Sequence, residues 1–258
     1  MELSAILAIA QRDFTKLLRD VPRFIGSLLS PFILIGVLGG TIQSIQGDGI
    51  EYDYITFVFT GVLAQTLFSS AAAGVISLIE DRENDFSQEL FVSPVSRYSI
   101  VLGKILGETL VALPQGVATI IFGFIIGVPI SAAQLVALLP VMLVAALLGS
   151  AFGLVIMSNL SSARTVNTVI GFIIFPQFFL AGVFAPIGAL PPALELASRL
   201  APMRYVVDLA RGIFYSGLPD SSAVVVDTPL TNIIVIGVLF ILFLTAGTWL
   251  FVRSERNR

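Results

Sequence analysis

Side chains that usually carry chemistry are scarce in this chain. Its 258 residues include no Cys and no His, which removes thiol nucleophiles, imidazole bases and the usual zinc or haem ligand sets. Gly103-Lys104 is followed by Ile105 and lacks the upstream glycine of a phosphate-cradling loop, so no nucleotide site of that kind is expected. A G-x-S-x-G elbow is also missing, and no Asp lies inside an apolar run, as paired-carboxylate chemistry at depth would need. Neither a catalytic residue nor a metal-ligating set is expected. What remains is an oppositely charged pair, Lys104 and Glu108, on one helical face, and a few polar side chains in apolar surroundings: Gln65, Thr66, Ser69, Asn167 and Gln177. Phe172, Phe175, Phe178 and Phe179 crowd the last of these. A mostly apolar, aromatic wall with a few amides suits an amphipathic compound better than a small ion. Ordinary interhelical packing accounts for the same residues equally well.

The elements that carry these side chains are set by composition. Hydrophobic residues make up 56% of the chain and charged residues 12%, against roughly 45–50% and about 25% in soluble proteins. A soluble globule, a disordered chain and a nucleic-acid binder are therefore not expected. A membrane span takes about 20 mainly apolar residues, and six stretches qualify. They run from about Phe24 to Ile45, Tyr54 to Ile79, Thr109 to Val128, Ala133 to Met157, Val166 to Ile187 and Asn232 to Val252. The third is preceded by more polar turns carrying Lys104 and Glu108. Pro31, Pro114, Pro140 and Pro176 fall inside spans and predict kinks. GxxxG spacings at Gly36/Gly40, Gly123/Gly127 and Gly149/Gly153 permit close helix approach. The expected fold is all-α: one polytopic transmembrane domain over 1–258.

Basic residues orient it. With the N-terminus in the cytoplasm, eleven of the fourteen lie inside and only Arg199, Arg204 and Arg211 outside, so both termini are expected to be cytoplasmic. Residues 1–22 lack a basic leader and a cleavage site and do not read as a signal peptide. Instead Leu3, Ile6, Leu7, Ala10, Phe14, Leu17, Leu18 and Val21 recur at helical spacing, with Arg12, Asp13, Lys16, Arg19 and Asp20 expected opposite. That is a helix lying in the inner membrane interface; Arg12 and Lys16 are candidate contacts to a partner, or part of a simple lipid anchor. The cytoplasmic segment 80–97 sets a short apolar edge of Phe86, Leu90 and Phe91 among Arg82, Glu83 and Glu89. An exposed apolar edge with a charged rim fits a docking site for another protein, and a solvated loop is the bland alternative. The outer segment 188–229 reads as two short helices. Glu195 and Arg199 pair at i,i+4 in the first, while Arg204, Asp208 and Arg211 lie along one side of the second, their charges mutually paired at or within the outer leaflet.

Two longer stretches add a resemblance. QELFVSPVSRYSIVLGKILGE (88–108) and FPQFFLAGVFAPIGALPPALELASRLAPMRYVVDLARGIF (175–214), in this order within six spans, are similar to signatures of the permease subunits of type-2 ABC exporters. The likeness runs over essentially the whole chain. It departs where many members carry Gly-Thr before the Glu-Leu of the cytoplasmic helix and this chain has Phe86-Ser87. The resemblance implies a subunit of a prokaryotic cell membrane, active as a homodimer or a pair of similar permeases. Two copies of a separate ATPase, which binds the ATP and Mg, would supply the energy. The helix at Arg82–Phe91 would be the coupling helix seated on that ATPase, through Arg82, Glu83, Phe86, Glu89, Leu90 and Phe91. Cargo would be an amphipathic, drug-like or lipid-linked compound, with a polysaccharide or glycolipid as the alternative. Other readings are a secondary transporter, which would want buried ionisable relays, and a scaffold that transports nothing.

Overall fold

The computed structural model describes residues 2–46, 52–79, 96–158, 160 and 162–256. Among them the regular structure is helical, and six segments are long and apolar enough to cross a membrane: Phe24–Ile45, Tyr54–Ile79, Arg97–Ile125, Ala132–Met157, Ala163–Leu180 and Ser221–Ser254. The expected coupling residues Arg82, Glu83, Phe86, Glu89, Leu90 and Phe91 lie outside the described residues.

In chain order the helices are α1 (Glu2–Arg19), α2 (Val21–Phe32), α3 (Gly40–Gln46), α4 (Tyr54–Gly74), α5 (Arg97–Ile125), α6 (Ala132–Met157), α7 (Ala163–Leu180), α8 (Pro192–Ser198), α9 (Pro202–Phe214), α10 (Ser221–Val224) and α11 (Pro229–Arg256). Several begin where a side chain satisfies the orphan amides of the first turn. Asp53 caps α4 by accepting from Thr56 N at 2.7 Å, and Ser96 caps α5 through Ser99 N at 3.2 Å. Ser131 and Gln134 form a reciprocal capping box on α6. The first span is not a uniform helix: α2 passes into a π-helical stretch, Ile33–Gly39, before α3. Pro31 stands just before it, near the end of α2. Through Pro114, Pro140 and Pro176, by contrast, α5, α6 and α7 run on as α-helix.

At the centre stands α4, apolar on every side and buried along nearly its whole length, as a helix enclosed by neighbours should be. Against it cross α5, α6, α9 and the π stretch. The crossing with α6 is made at Gly149 and Gly153, where an added Cβ would fall onto the backbone carbonyls of Phe68 and Ala72. Of the three GxxxG spacings, this is the one that forms a backbone-to-backbone crossing. Gly123 instead faces the Phe59 ring, Gly36 faces Phe122, and Gly40 has nothing nearby.

A fourth small-residue pair decides where α1 lies. At Gly103 an added Cβ would come 3.0 Å from Ile9 Cβ, and at Gly107 3.2 Å from Ala10 Cα, so α1 rests directly on the start of α5. The two helices run parallel, Ser96 Oγ donating to Glu2 at 2.8 Å. The apolar face of α1 is thereby split: Ile9 and Ala10 are buried against α5, while Leu3, Leu7 and Leu18 stay exposed.

The fifth span ends sooner than its apolar run suggests. The helix stops at Leu180 rather than near Ile187, because Gly182 takes a positive φ of 73° and turns the chain. Beyond it the two expected short helices are found as α8 and α9. The second is no surface cap, since eleven of its thirteen residues are buried.

Candidate functional site

Where α1, α2, α4 and α5 meet, at the end of the bundle that carries α1, a polar cleft of about 350 Å³ cuts into the spans. One wall is an ion triad. Lys104 Nζ of α5 donates to Asp13 Oδ2 of α1 at 2.7 Å and lies 2.8 Å from Glu108 Oε1 one turn along α5. All three are buried, and Ser77 Oγ donates to Glu108 Oε1 at 3.0 Å. Burying an ion pair is unfavourable unless its remaining lone pairs and protons find partners; Ser77 and the second carboxylate supply them here. The sequence pairs Lys104 with Glu108 but sets Asp13 on the outer side of α1, beside Arg12. The structure corrects this: Asp13 faces inward, with Arg12 reaching its other oxygen Oδ1 at 3.0 Å. A signal for it exists, since Asp13 follows Ile9 by four residues and Ala10 by three, on the stripe that packs on α5.

Deeper in, the cleft is lined by Gln65, Thr66 and Ser69 of α4, together with Gln115 of α5. Gln65 Nε2 lies 3.5 Å from Ser69 Oγ. Gln65 Oε1 and Thr66 Oγ1 are buried and have no hydrogen-bond partner among the described residues. Lys16 of α1 and Asp20 just after it line the cleft as well, with the apolar surfaces of Leu17, Phe24 and Pro31 beside them.

The structure thus divides the pathway residues that sequence groups together. Gln65, Thr66 and Ser69 share this cleft; Asn167, Phe175, Gln177 and Phe178 do not line it. Asn167 Nδ2 donates back to Ala163 O within α7 at 3.1 Å. Gln177 Oε1 accepts from Met203 N at 3.2 Å and ties α7 to the start of α9. Phe175 sits in an aromatic chain with Phe178 and Phe179, itself 62% exposed on the outer face of α7. Lys16 is on the cleft, and Arg12 is spent on Asp13.

At the opposite end α9 carries charges that sequence expects to pair with one another. They do not. Arg204 donates to Ser198 Oγ at 2.6 Å and to Asp227 Oδ2 at 3.3 Å. Asp208 accepts from Val226 N, Asp227 N and Asn232 Nδ2 at 2.8–2.9 Å, fixing the approach to α11. Arg211, wholly buried, lies 3.7 Å above the Phe57 ring and donates to Gly182 O at 2.7 Å. Helix-terminal carbonyls released by the turn at Gly182 take the place of a counter-ion. Burial pushes the guanidinium down to about 10, which leaves it charged at neutral pH, and pushes the neighbouring Tyr215 phenol up. Glu195 of α8 and Arg199 at its C-terminal end form the expected pair at 2.9 Å.

No group of three or more candidate metal ligands occurs among the described residues. This geometry can bind and orient a polar group inside a bundle of spans. Comparison with known proteins agrees with that character. A family model described as ABC-2 type transporter matches residues 4–215. The chain is 26% identical over 223 residues to the inner membrane transport permease YadH of Escherichia coli K12, covering 86% of this chain and 83% of the relative. To the transport permease ycf38 of Cyanophora paradoxa it is 24% identical over 216 residues, covering 82% and 74%. A third relative, named a probable multidrug ABC transporter permease, YbhR of Escherichia coli K12, is 26% identical over 186 residues, covering 71% of this chain and 50% of its own length.

Proposed function

Because the chain belongs to the ABC-2 type transporter family, we propose that it is the membrane permease of an ATP-driven exporter. It carries an amphipathic, drug-like or lipid-linked compound out of the cytoplasm or the inner leaflet. The observation that carries this reading is the polar cleft opened between α1 and the first three of six apolar spans, in a chain whose sequence has no loop to cradle ATP phosphates. Such a chain can hold cargo and needs its energy from elsewhere. Two copies of a separate ATPase bind ATP and Mg, and a second permease, identical or similar, completes the passage. Both termini lie in the cytoplasm, as the distribution of basic residues requires.

In this mechanism the ATPases press on the cytoplasmic segment Arg82–Phe91 and on α1, and the spans shift between two packed states that ATP binding distinguishes. The relative named as a multidrug permease supports a drug-like cargo. Three measurements test the reading. The full chain should co-purify with an ATPase encoded beside it, and reconstituted vesicles should show flux that requires ATP. Leu90→Asp should abolish ATPase binding and stimulation; stoichiometric binding by that variant removes the coupling assignment. A thiol placed in 80–97 and labelled from outside intact cells overturns the orientation.

A further inference from the structure

Outside the cleft, α5 and α11 flank a groove of about 580 Å³. They make little contact with one another, since α11 packs on α6 and α9 instead. The deeper part of the groove is apolar. Leu102 and Leu244 line it, and the Thr245 hydroxyl beside them donates back to Ile241 O of its own helix at 2.7 Å. The mouth is different. Tyr98, in the first turn of α5, and Trp249 of α11 are 62% and 58% exposed there. Arg253 follows one turn beyond Trp249, its guanidinium 5.2 Å from the indole centroid, within cation–π range. Arg253 is itself exposed, and among the described residues no carboxylate lines the groove or pairs with it. Aromatic rings and a basic residue closing an apolar run are the side chains that settle at a membrane–water interface. From Arg253 to Thr245 is eight residues, about 12 Å along the helix, against about 15 Å for one leaflet of a hydrocarbon core about 30 Å thick.

From this arrangement we propose that the groove between α5 and α11 is a binding site for an anionic phospholipid. The phosphate accepts from the Arg253 guanidinium, Tyr98 and Trp249 stand at headgroup level, and an acyl chain lies along Leu102 and Leu244. A guanidinium presents paired donors that match phosphate oxygens. A zwitterionic headgroup brings a cation of its own, so an unpaired Arg253 favours a lipid of net negative charge. A soluble phosphate would use Arg253 alone and leave the apolar depth of the groove uncovered; a lipid uses both. The groove opens at the end of the bundle that carries α1. That end is cytoplasmic in the orientation proposed above, and on that reading the lipid belongs to the inner leaflet. Seated there, it fills the seam between α11 and the helix that carries the buried ion triad.

Trp249 is the single tryptophan of the chain, so intrinsic tryptophan fluorescence reads this groove alone. The full chain is reconstituted in phosphatidylcholine vesicles, and increasing fractions of the lipid are replaced by dibrominated phosphatidylglycerol or dibrominated phosphatidylcholine. Bromine quenches a tryptophan that its lipid touches, and the two titrations give the relative affinity of the lipids for the groove. Phosphatidylglycerol should be preferred about fivefold, the preference that one basic residue near the surface supplies. Arg253→Gln should bring the ratio close to one, and Arg253→Lys, which keeps the charge, should retain most of the preference. Arg199→Gln, in the exposed ion pair of α8, should leave it unchanged. Thermal unfolding of each variant separates loss of the site from loss of the fold. A ratio near one in the parent overturns the proposal, as does a preference that survives Arg253→Gln or one abolished by inorganic phosphate at matched ionic strength. Quenching by neither lipid means that protein covers the groove, and overturns it as well. In symmetric vesicles the ratio is independent of the direction of insertion and of transport. Labelling of 80–97 therefore decides the leaflet, and ATP-dependent flux the exporter reading, separately from this site.

Discussion

Replacing Lys104 by Met keeps the volume of the side chain and removes the one cation of a buried triad. Two carboxylates bonded to the same ammonium at 2.7 and 2.8 Å are then left facing one another. At a separation of about 5 Å and an effective dielectric of about 20, their repulsion is about 3 kcal/mol. Stranding a buried charge by removing its partner is independently put at about 3–5 kcal/mol; the two figures describe one effect and do not add. At about 2–4 °C of melting temperature per kcal/mol for a chain of this size, Lys104→Met should unfold roughly 10 °C below the parent in nanodiscs. The triple variant Asp13→Asn, Lys104→Met, Glu108→Gln leaves no buried carboxylate facing another, takes a carboxylate only from the part-exposed Arg12, and should recover most of the loss. A single variant as stable as the parent, or a triple variant no better than the single, refutes the account of the triad as a mutually dependent unit and detaches α1 from it.

Other outcomes follow from contacts with little room to adapt. Gly149→Ala drives a methyl onto the Phe68 carbonyl of α4; a loss of about 3 kcal/mol or more is expected, read as a collapse in the yield of monodisperse protein. Asp208→Asn halves the acceptors available to Val226 N, Asp227 N and Asn232 Nδ2 and should lower stability by about 1.5–3 kcal/mol, measured by thermal unfolding. Arg211→Lys retains a charge but not the planar fork over Phe57. It should be clearly less stable than the parent, and Arg211→Lys matching the parent would show that charge alone is required there.

How much of this was legible in sequence depends on how far each contact reaches. The spans were visible because they are set by composition alone, and each of the six begins or ends within a few residues of its apolar run. The fifth stops early since its apolar run continues past a turn that only the backbone of Gly182 reveals. The ion pair Lys104–Glu108 was legible because helical spacing joins it, whereas Asp13 comes from an element more than ninety residues away. Its position depended on which edge of α1 meets protein, and the periodicity of an apolar stripe does not choose between two apolar edges. Arg211 was misjudged for a related reason. Charges invite pairing with charges, and nothing in the letters announces that backbone carbonyls at the end of a helix will serve. Gln65 and Gln177 looked alike as isolated amides in apolar runs, yet one lines a cleft and the other holds α9 in place.

The crossing at Gly149 and Gly153 has a mechanical consequence. With carbonyls of one helix filling the space where side chains of the other would stand, α4 and α6 have no lubricating layer between them and must travel as one rigid spar. A rearrangement that widens a passage beside α4 therefore drags α6 along, and slippage falls to the thinly packed members, the π-wound first span and α7. That joint thereby decides which of the helices are free to swing.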